Sequence, residues 1–254
     1  MRALPPATEA RFRLLAGIPS LERYLLVGGS ALALRLGHRL SQDLDFAQER
    51  APLDRRPIGD MIRRFGEQHI PVARYPHDAG RQGFEDGGLE LDDYQQDYDG
   101  GGVKLSFFIP EYPRSQTEAV MGKPEPVPGV DSGHIRVAGL GTLALMKSLL
   151  LGRRITTRDL FDIVALVRRG ALTYRQVFDW QNSRSLGYDW LRSRLLHAAQ
   201  PKDDPGVEPL DRAIPADFPA LKELLVSAMD QYEQAVASEV FRKSKGKSKR
   251  PKRR

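Results

Sequence analysis

A chain of 254 residues can bury a sizeable core, and without a single cysteine it excludes a disulfide framework or a thiolate metal centre. No apolar run approaches the roughly 20 residues that span a bilayer, and the N-terminal Met-Arg-Ala-Leu-Pro-Pro lacks an apolar signal core, so the expectation is a soluble cytoplasmic protein. The net charge of +6 is local: residues 242–254 hold nine of the 39 Lys and Arg and no acid, leaving 30 basic against 33 acidic residues elsewhere.

In chain order, the pattern predicts a helix over 7–16 and a strand at Tyr24-Leu-Leu-Val27. Gly28 and Gly29 then allow a tight turn, and Ser30 has the chemistry of an N-cap. Residues 31–36 are apolar except for Arg35, which predicts a buried helix ended by Gly37. Asp43-Leu-Asp-Phe46 alternates polar and apolar as a strand does. A helix over 58–67 and a strand over 71–75 follow. The acidic, Gly-rich stretch 76–102 reads as irregular, with Leu89-Glu-Leu-Asp its most strand-like part. Val103-Lys-Leu-Ser-Phe-Phe-Ile109, closed by Pro110, is a clear strand, the Pro-rich 113–133 a loop, and Ile135-Arg-Val137 a short strand. From Gly139 the pattern is helical, over 140–152, 157–169, 173–183, 187–199 and 216–241. The predicted organisation is an α+β core over 1–138, a helical region over 139–241 and a disordered basic tail over 242–254.

Three groups of residues carry chemistry. Gly28, Gly29 and Ser30 stand at a strand-to-helix junction, where backbone N–H groups and the helix N-terminus favour phosphate; Arg39 follows them as a further candidate. Asp43 and Asp45, two apart on one strand, share a face, and paired carboxylates of this kind repel unless a cation sits between them. Hard oxygen ligands suit Mg²⁺ (or Mn²⁺) together with substrate phosphates, although a solvated strand edge has the same pattern. Lys147 sits on a helix among Leu143, Ala144, Leu150 and Leu151, and Asp162 is the only polar residue from 160 to 167. A buried ion pair and a catalytic role remain open for them, with Lys147 and Arg158 the candidate partners of Asp162. Arg153, Arg154 and Arg158, with Lys249 and Arg250 of the tail, are candidate RNA contacts, or simply solvated charges.

The run Gly28-Gly29-Ser30 to Asp43-Leu-Asp45-Phe, followed by the Lys147 segment and Arg158-Asp159-Leu-Phe-Asp162, resembles the signature of AbiEii/AbiGii-type nucleotidyltransferase toxins, of the DNA polymerase β-like nucleotidyltransferase superfamily. The resemblance covers residues 20–170. It implies a small mixed β-sheet flanked by helices and followed by a helical region. It also implies transfer of a nucleoside monophosphate from a nucleoside triphosphate with Mg²⁺. Gly29 and Ser30 would hold the triphosphate, Asp43 and Asp45 the metal, Lys147 the nucleotide, and Asp162 would be the later catalytic or structuring acid. The implied acceptor is RNA, the tRNA 3′ end, and the implied partner a cognate antitoxin.

One departure stands out. The superfamily often carries a third carboxylate on a later strand, and here Ser106 occupies that place. A serine is no general base near neutral pH without help, so either Asp162 or direct release of the proton to solvent would have to substitute. Two other readings stay open: the same fold serving a protein or small-molecule hydroxyl, and a catalytically silent module that binds nucleic acid or a partner.

Overall fold

The computed structural model describes residues 1–76, 84–110, 121–182 and 187–248. Six strands, β1 (Leu25–Val27), β2 (Leu44–Ala47), β3 (Val72–Arg74), β4 (Gln95–Gly100), β5 (Lys104–Phe108) and β6 (Arg136–Val137), form one mixed sheet in the order β3-β4-β5-β2-β1-β6. Pairing is parallel between β2 and β5 and between β1 and β6, and antiparallel elsewhere. The helices α1 (Pro6–Ala16), α2 (Gly28–Leu36) and α3 (Arg55–Glu67) accompany it. This is the small mixed sheet with helices that the family resemblance implies.

Side-chain alternation assigns the two faces of the sheet. Leu44 and Phe46 of β2, Leu105 and Phe107 of β5 and Tyr98 of β4 are buried on one side. There Phe46 stacks on Phe107 at 5.2 Å, and Tyr24 meets the same ring edge-on at 5.3 Å. Helix α3 buries Ile58, Met61 and Phe65, an apolar stripe at helical spacing, and Asp54 caps it by accepting from the Arg56 N–H.

The strand β4 departs from expectation. Its sequence, Gln-Gln-Asp-Tyr-Asp-Gly, has one apolar side chain and falls in the stretch read as irregular. Leu91–Asp93, in the part judged most strand-like, is a 3-10 turn. β4 is a strand because both of its edges are paired, with β3 and β5, and because its polar side chains bond locally. Gln96 donates to the Asp92 carbonyl at 2.8 Å, and the Tyr98 hydroxyl donates to Gln96 at 2.8 Å.

Two compact units make up the chain: Met1–Lys147 with Glu208–Ala213, and Ser148–Val207 with Ile214 onward. The short return segment belongs to the first because Leu40 N–H donates to the Glu208 carbonyl, and the N–H groups of Leu210 and Asp211 donate to that of His38. Also in the first unit, Arg35 of α2 is 6% exposed and donates to the carbonyls of Ala138, Glu125, Pro126 and Val137 at 2.5–3.2 Å. The one charge on an apolar helix is thus a clamp on the β6 segment. Burial lowers its pKa, an effect that Glu125 opposes.

Helix α4 (Leu140–Leu150) crosses from the first unit into the second, which holds α5 (Thr157–Arg168), α6 (Tyr174–Asn182), α7 (Gly187–His197) and α8 (Phe218–Ser248). Helix α5 is buried along most of its length, and Phe178, Tyr188 and Tyr232 join α6, α7 and α8 through ring contacts of 5.2–5.7 Å. Helix α8 continues to Ser248, so residues 242–248, expected in a disordered tail, are helical. Lys and Arg, which make up much of that stretch, are good helix formers. Lys249 and Arg250 lie outside the described residues.

Replacing Arg35 by Met should leave buried carbonyls without their donor and cost about 3 kcal/mol. A urea melt with an unchanged midpoint would contradict the clamp.

Candidate active site

The site grows from the junction of β1 with α2. Helix α2 begins at Gly28, with Val27 as its N-cap, so no side-chain cap satisfies its first N–H groups. Ser30, expected as the N-cap, lies inside the helix. It is fully buried, and its hydroxyl donates to the Asp43 carbonyl. This bond ties the first turn of α2 to the entry of β2, so Ser30 positions the acidic strand.

Antiparallel pairing places Val27 opposite Asp45. Gly28 follows with φ of +69°, and a Cβ built there would lie 2.2 Å from Asp45 Oδ2. A Cβ on Gly29 would lie 2.6 Å from Arg39 Nη2 and 2.9 Å from Ser41 Oγ. The two glycines therefore do more than clear a path for phosphate. One admits a carboxylate and the other a guanidinium, each against the opening turn of a helix. Arg39 is buried and also donates to the Leu40 carbonyl at 2.9 Å.

Asp43 and Asp45 are half-buried, while Leu44 and Phe46 between and beyond them are buried, as alternation predicts. Gly28, Gly29, Ser30, Arg39, Asp43 and Asp45 are thus brought together. Two half-buried carboxylates on one face, beside a helix N-terminus, supply hard oxygen donors that fit Mg²⁺ or Mn²⁺ better than a softer metal. Among the described residues no three His, Cys, Asp or Glu side chains gather as a metal cage. The acids able to hold an ion here are a pair.

β2 and β5 pair in parallel, with Asp45 opposite Ser106. On the other side of Ser106 stands Asp97 of β4. Directly opposed residues share a face, so Asp45, Ser106 and Asp97 form a row. Asp97 is 2% exposed and pairs with Lys104 Nζ at 3.0 Å. Burial acts to lower the Lys104 pKa, but the bonded Asp97 and the nearby Asp45 and Asp43 outweigh it, and the ammonium is held above the usual lysine value. Asp97 and Lys104 are not marked as site residues by the local sequence pattern. The available signal was the alternation of Asp97 and Asp99 about Tyr98, hidden by the polarity of β4.

Of the remaining candidates, Lys147 is 5% exposed on α4, at the end of the first unit. Asp162 is fully buried in the middle of α5, in the second. Arg154 pairs with Asp159 at 2.9 Å, next to the Thr156 cap of α5, and Arg158 donates to the Gly206 carbonyl at 3.0 Å. Both are engaged in the helical unit's own structure; Arg153 is exposed.

The fit of Asp45 against Gly28 yields a prediction that needs no assay of activity. Gly28→Ala should cost about 2–4 kcal/mol, from the left-handed backbone and the collision together. Combining it with Asp45→Ala removes the collision, so the two losses should fall short of additivity by about 1–2 kcal/mol. Strictly additive denaturation energies would contradict the contact.

Among solved structures, the chain is similar to JHP933 from Helicobacter pylori, at 17% identity over 95% of this chain and 97% of that one, with a TM-score of 0.44. It is also similar to MenT4, a nucleotidyltransferase toxin from Mycobacterium tuberculosis H37Rv, at 17% identity over 87% and 80%, with a TM-score of 0.45. No curated protein matches. Residues 13–203, most of the chain, match the family model described as "Nucleotidyl transferase AbiEii toxin, Type IV TA system". With that match spanning the Gly28–Ser30 turn, the aspartate pair and both buried later residues, the chain belongs to the AbiEii family of toxin nucleotidyltransferases.

Proposed function

We propose that the enzyme moves a nucleoside monophosphate from a nucleoside triphosphate to the 3′ end of an RNA, specifically tRNA, with Mg²⁺ (or Mn²⁺) held by Asp43 and Asp45. A cognate antitoxin is its protein partner and the cytoplasm its compartment. The observation that carries this reading is the seating of the Asp45 carboxylate on Gly28, beside the N–H groups that open α2.

In this reading the triphosphate lies along the first turn of α2, where its charge meets the helix dipole, and the Arg39 guanidinium behind Gly29 adds a fixed positive charge. Bound Mg²⁺ supplies charge neutralisation and polarisation of the phosphoryl oxygens. The 3′ oxygen of the acceptor forms a bond to the α-phosphorus while the bond to the β-phosphate oxygen breaks, and pyrophosphate departs. With Ser106 in the third position, no carboxylate stands there to take the hydroxyl proton, which passes to solvent. Lys147 contacts the nucleotide, and Asp162 structures the helical unit. The exposed Arg153 and the basic C-terminal residues, Lys249 and Arg250 among them, add sequence-independent attraction for the acceptor.

Asp43→Ala combined with Asp45→Ala should lower incorporation of labelled nucleotide into total RNA by at least about 1,000-fold, with the fold intact by circular dichroism. Equal labelling by the double variant rejects the assignment. Sequencing RNA 3′ ends after induced expression identifies the acceptor. Label found only in protein or in a small molecule would move the acceptor to that class while leaving the site as described.

Removing residues 242–254 should raise the KM for RNA by about tenfold at low salt and flatten its salt dependence, since fewer counterions are released. An unchanged KM would show that the basic end has no part in acceptor binding.

A further inference from the structure

Lys104 occupies an unusual position for a lysine. It begins β5, two residues before Ser106 and on the same face, so it projects beside the row Asp45, Ser106, Asp97. The pairing of β2 with β5 starts at Leu44 opposite Leu105, which sets Asp43 and Lys104 one step further back along both strands. Asp97 lies two strands from Asp45, a separation of about 10 Å, too far for both to grip one ion. The Lys104 ammonium is held by Asp97 Oδ2 at 3.0 Å, with the Tyr75 ring centroid 5.9 Å away, and it is near enough to Asp45 and Asp43 to feel their charge. Tyr75 is itself anchored, its N–H donating to the Asp97 carbonyl at 2.9 Å. Lys104 remains 43% exposed, within reach of a ligand that arrives from solvent.

We propose that Lys104, docked on Asp97, is a further fixed cation of the nucleotidyl-transfer site, and that it biases the aspartate pair toward taking its divalent ion together with the triphosphate. The inference rests on the reading of Asp43 and Asp45 as the metal ligands. A bare dication approaching the pair meets the repulsion of the ammonium, whereas a metal–triphosphate complex carries net negative charge and is attracted by it. The same lysine therefore acts with opposite sign on the two forms of the ion. It also answers the loss of the third carboxylate. With Ser106 in that place and Asp97 already neutralised, the site provides for one divalent ion plus an ammonium.

The test measures binding. Free Mn²⁺ is followed by electron paramagnetic resonance with Mn²⁺ alone, and binding of the preformed Mn²⁺ complex of the α,β-methylene analogue of each of the four ribonucleoside triphosphates is followed by equilibrium dialysis of the nucleotide. Lys104→Met should tighten Mn²⁺ alone by about tenfold and weaken the Mn²⁺–triphosphate complex by about tenfold. Lys104→Arg should restore both values toward wild type. Because Lys104→Met leaves Asp97 buried without its cation, the double variant Asp97→Asn/Lys104→Met is measured as well. It should fold and show the same opposed shifts at smaller size. If wild type binds Mn²⁺ and both variants leave the affinities unchanged, or move them in the same direction, the role of Lys104 is overturned while the metal site stands. If wild type binds no Mn²⁺ even with triphosphate, the metal site itself is wrong and this inference falls with it.

Discussion

Where the Asp45 carboxylate rests against Gly28 there is no room for a methyl group, and much of the site follows from that clearance. The contact requires β1 and β2 to pair with Val27 opposite Asp45, since a slip of one residue would turn both aspartates into the core and Leu44 and Phe46 out of it. The buried hydroxyl of Ser30, bonded to the Asp43 carbonyl, fixes the same register from the helix side. The aromatic contacts of Phe46 with Phe107 and of Phe107 with Tyr24 fix it from the opposite face. Register, helix entry and core packing thus agree on one placement of the two acids.

The charges around that placement alternate in a way that limits their self-repulsion. Asp45 lies at the positive end of α2, Arg39 lies behind Gly29, and Lys104 pairs with Asp97 from the strand that separates Asp97 from Asp45. Like charges crowded into a half-buried place are costly without such neighbours. An enzyme that must handle a polyanion also gains from them, because fixed positive charge needs no reorganisation when the substrate arrives. In the helical unit the same economy of charge takes a structural form: Asp159 accepts from Arg154 and from Thr156, and Asp204 accepts from both the backbone and the hydroxyl of Thr157.

Much of this was legible in the residues. Helical patterning located α1, α3 and the five helices after residue 139, alternation gave β2, and a run of strand-forming residues closed by Pro110 gave β5. The Gly-Gly-Ser turn and the Asp-x-Asp pair could be read as neighbours because only a short helix separates them. What escaped was β4, a strand whose side chains are mostly polar and whose identity comes from two hydrogen-bonded edges. With β4 went Asp97 and the meaning of Lys104. Ser30 lies inside α2 and not at its N-cap: a serine after two glycines suits a helix cap, and only the position of β2 shows which oxygen it bonds. Nor could the spacing of Arg153, Arg154 and Arg158, candidate RNA contacts or solvated charges, show that Arg154 pairs with Asp159 and Arg158 bonds to the Gly206 carbonyl.

The chain by itself determined the kind of chemistry present, since hard carboxylates, a glycine turn and a basic end are properties of composition and short-range order. It determined too which face of β2 meets the core, because side-chain alternation leaves no other choice. Tertiary structure decided the rest: that a carboxylate and a guanidinium fill the space left by two glycines, and that Asp97 reaches the acidic row from a distant strand. Pairing register and close approach are relations between distant segments, set by backbone hydrogen bonds and core volume that no local pattern encodes.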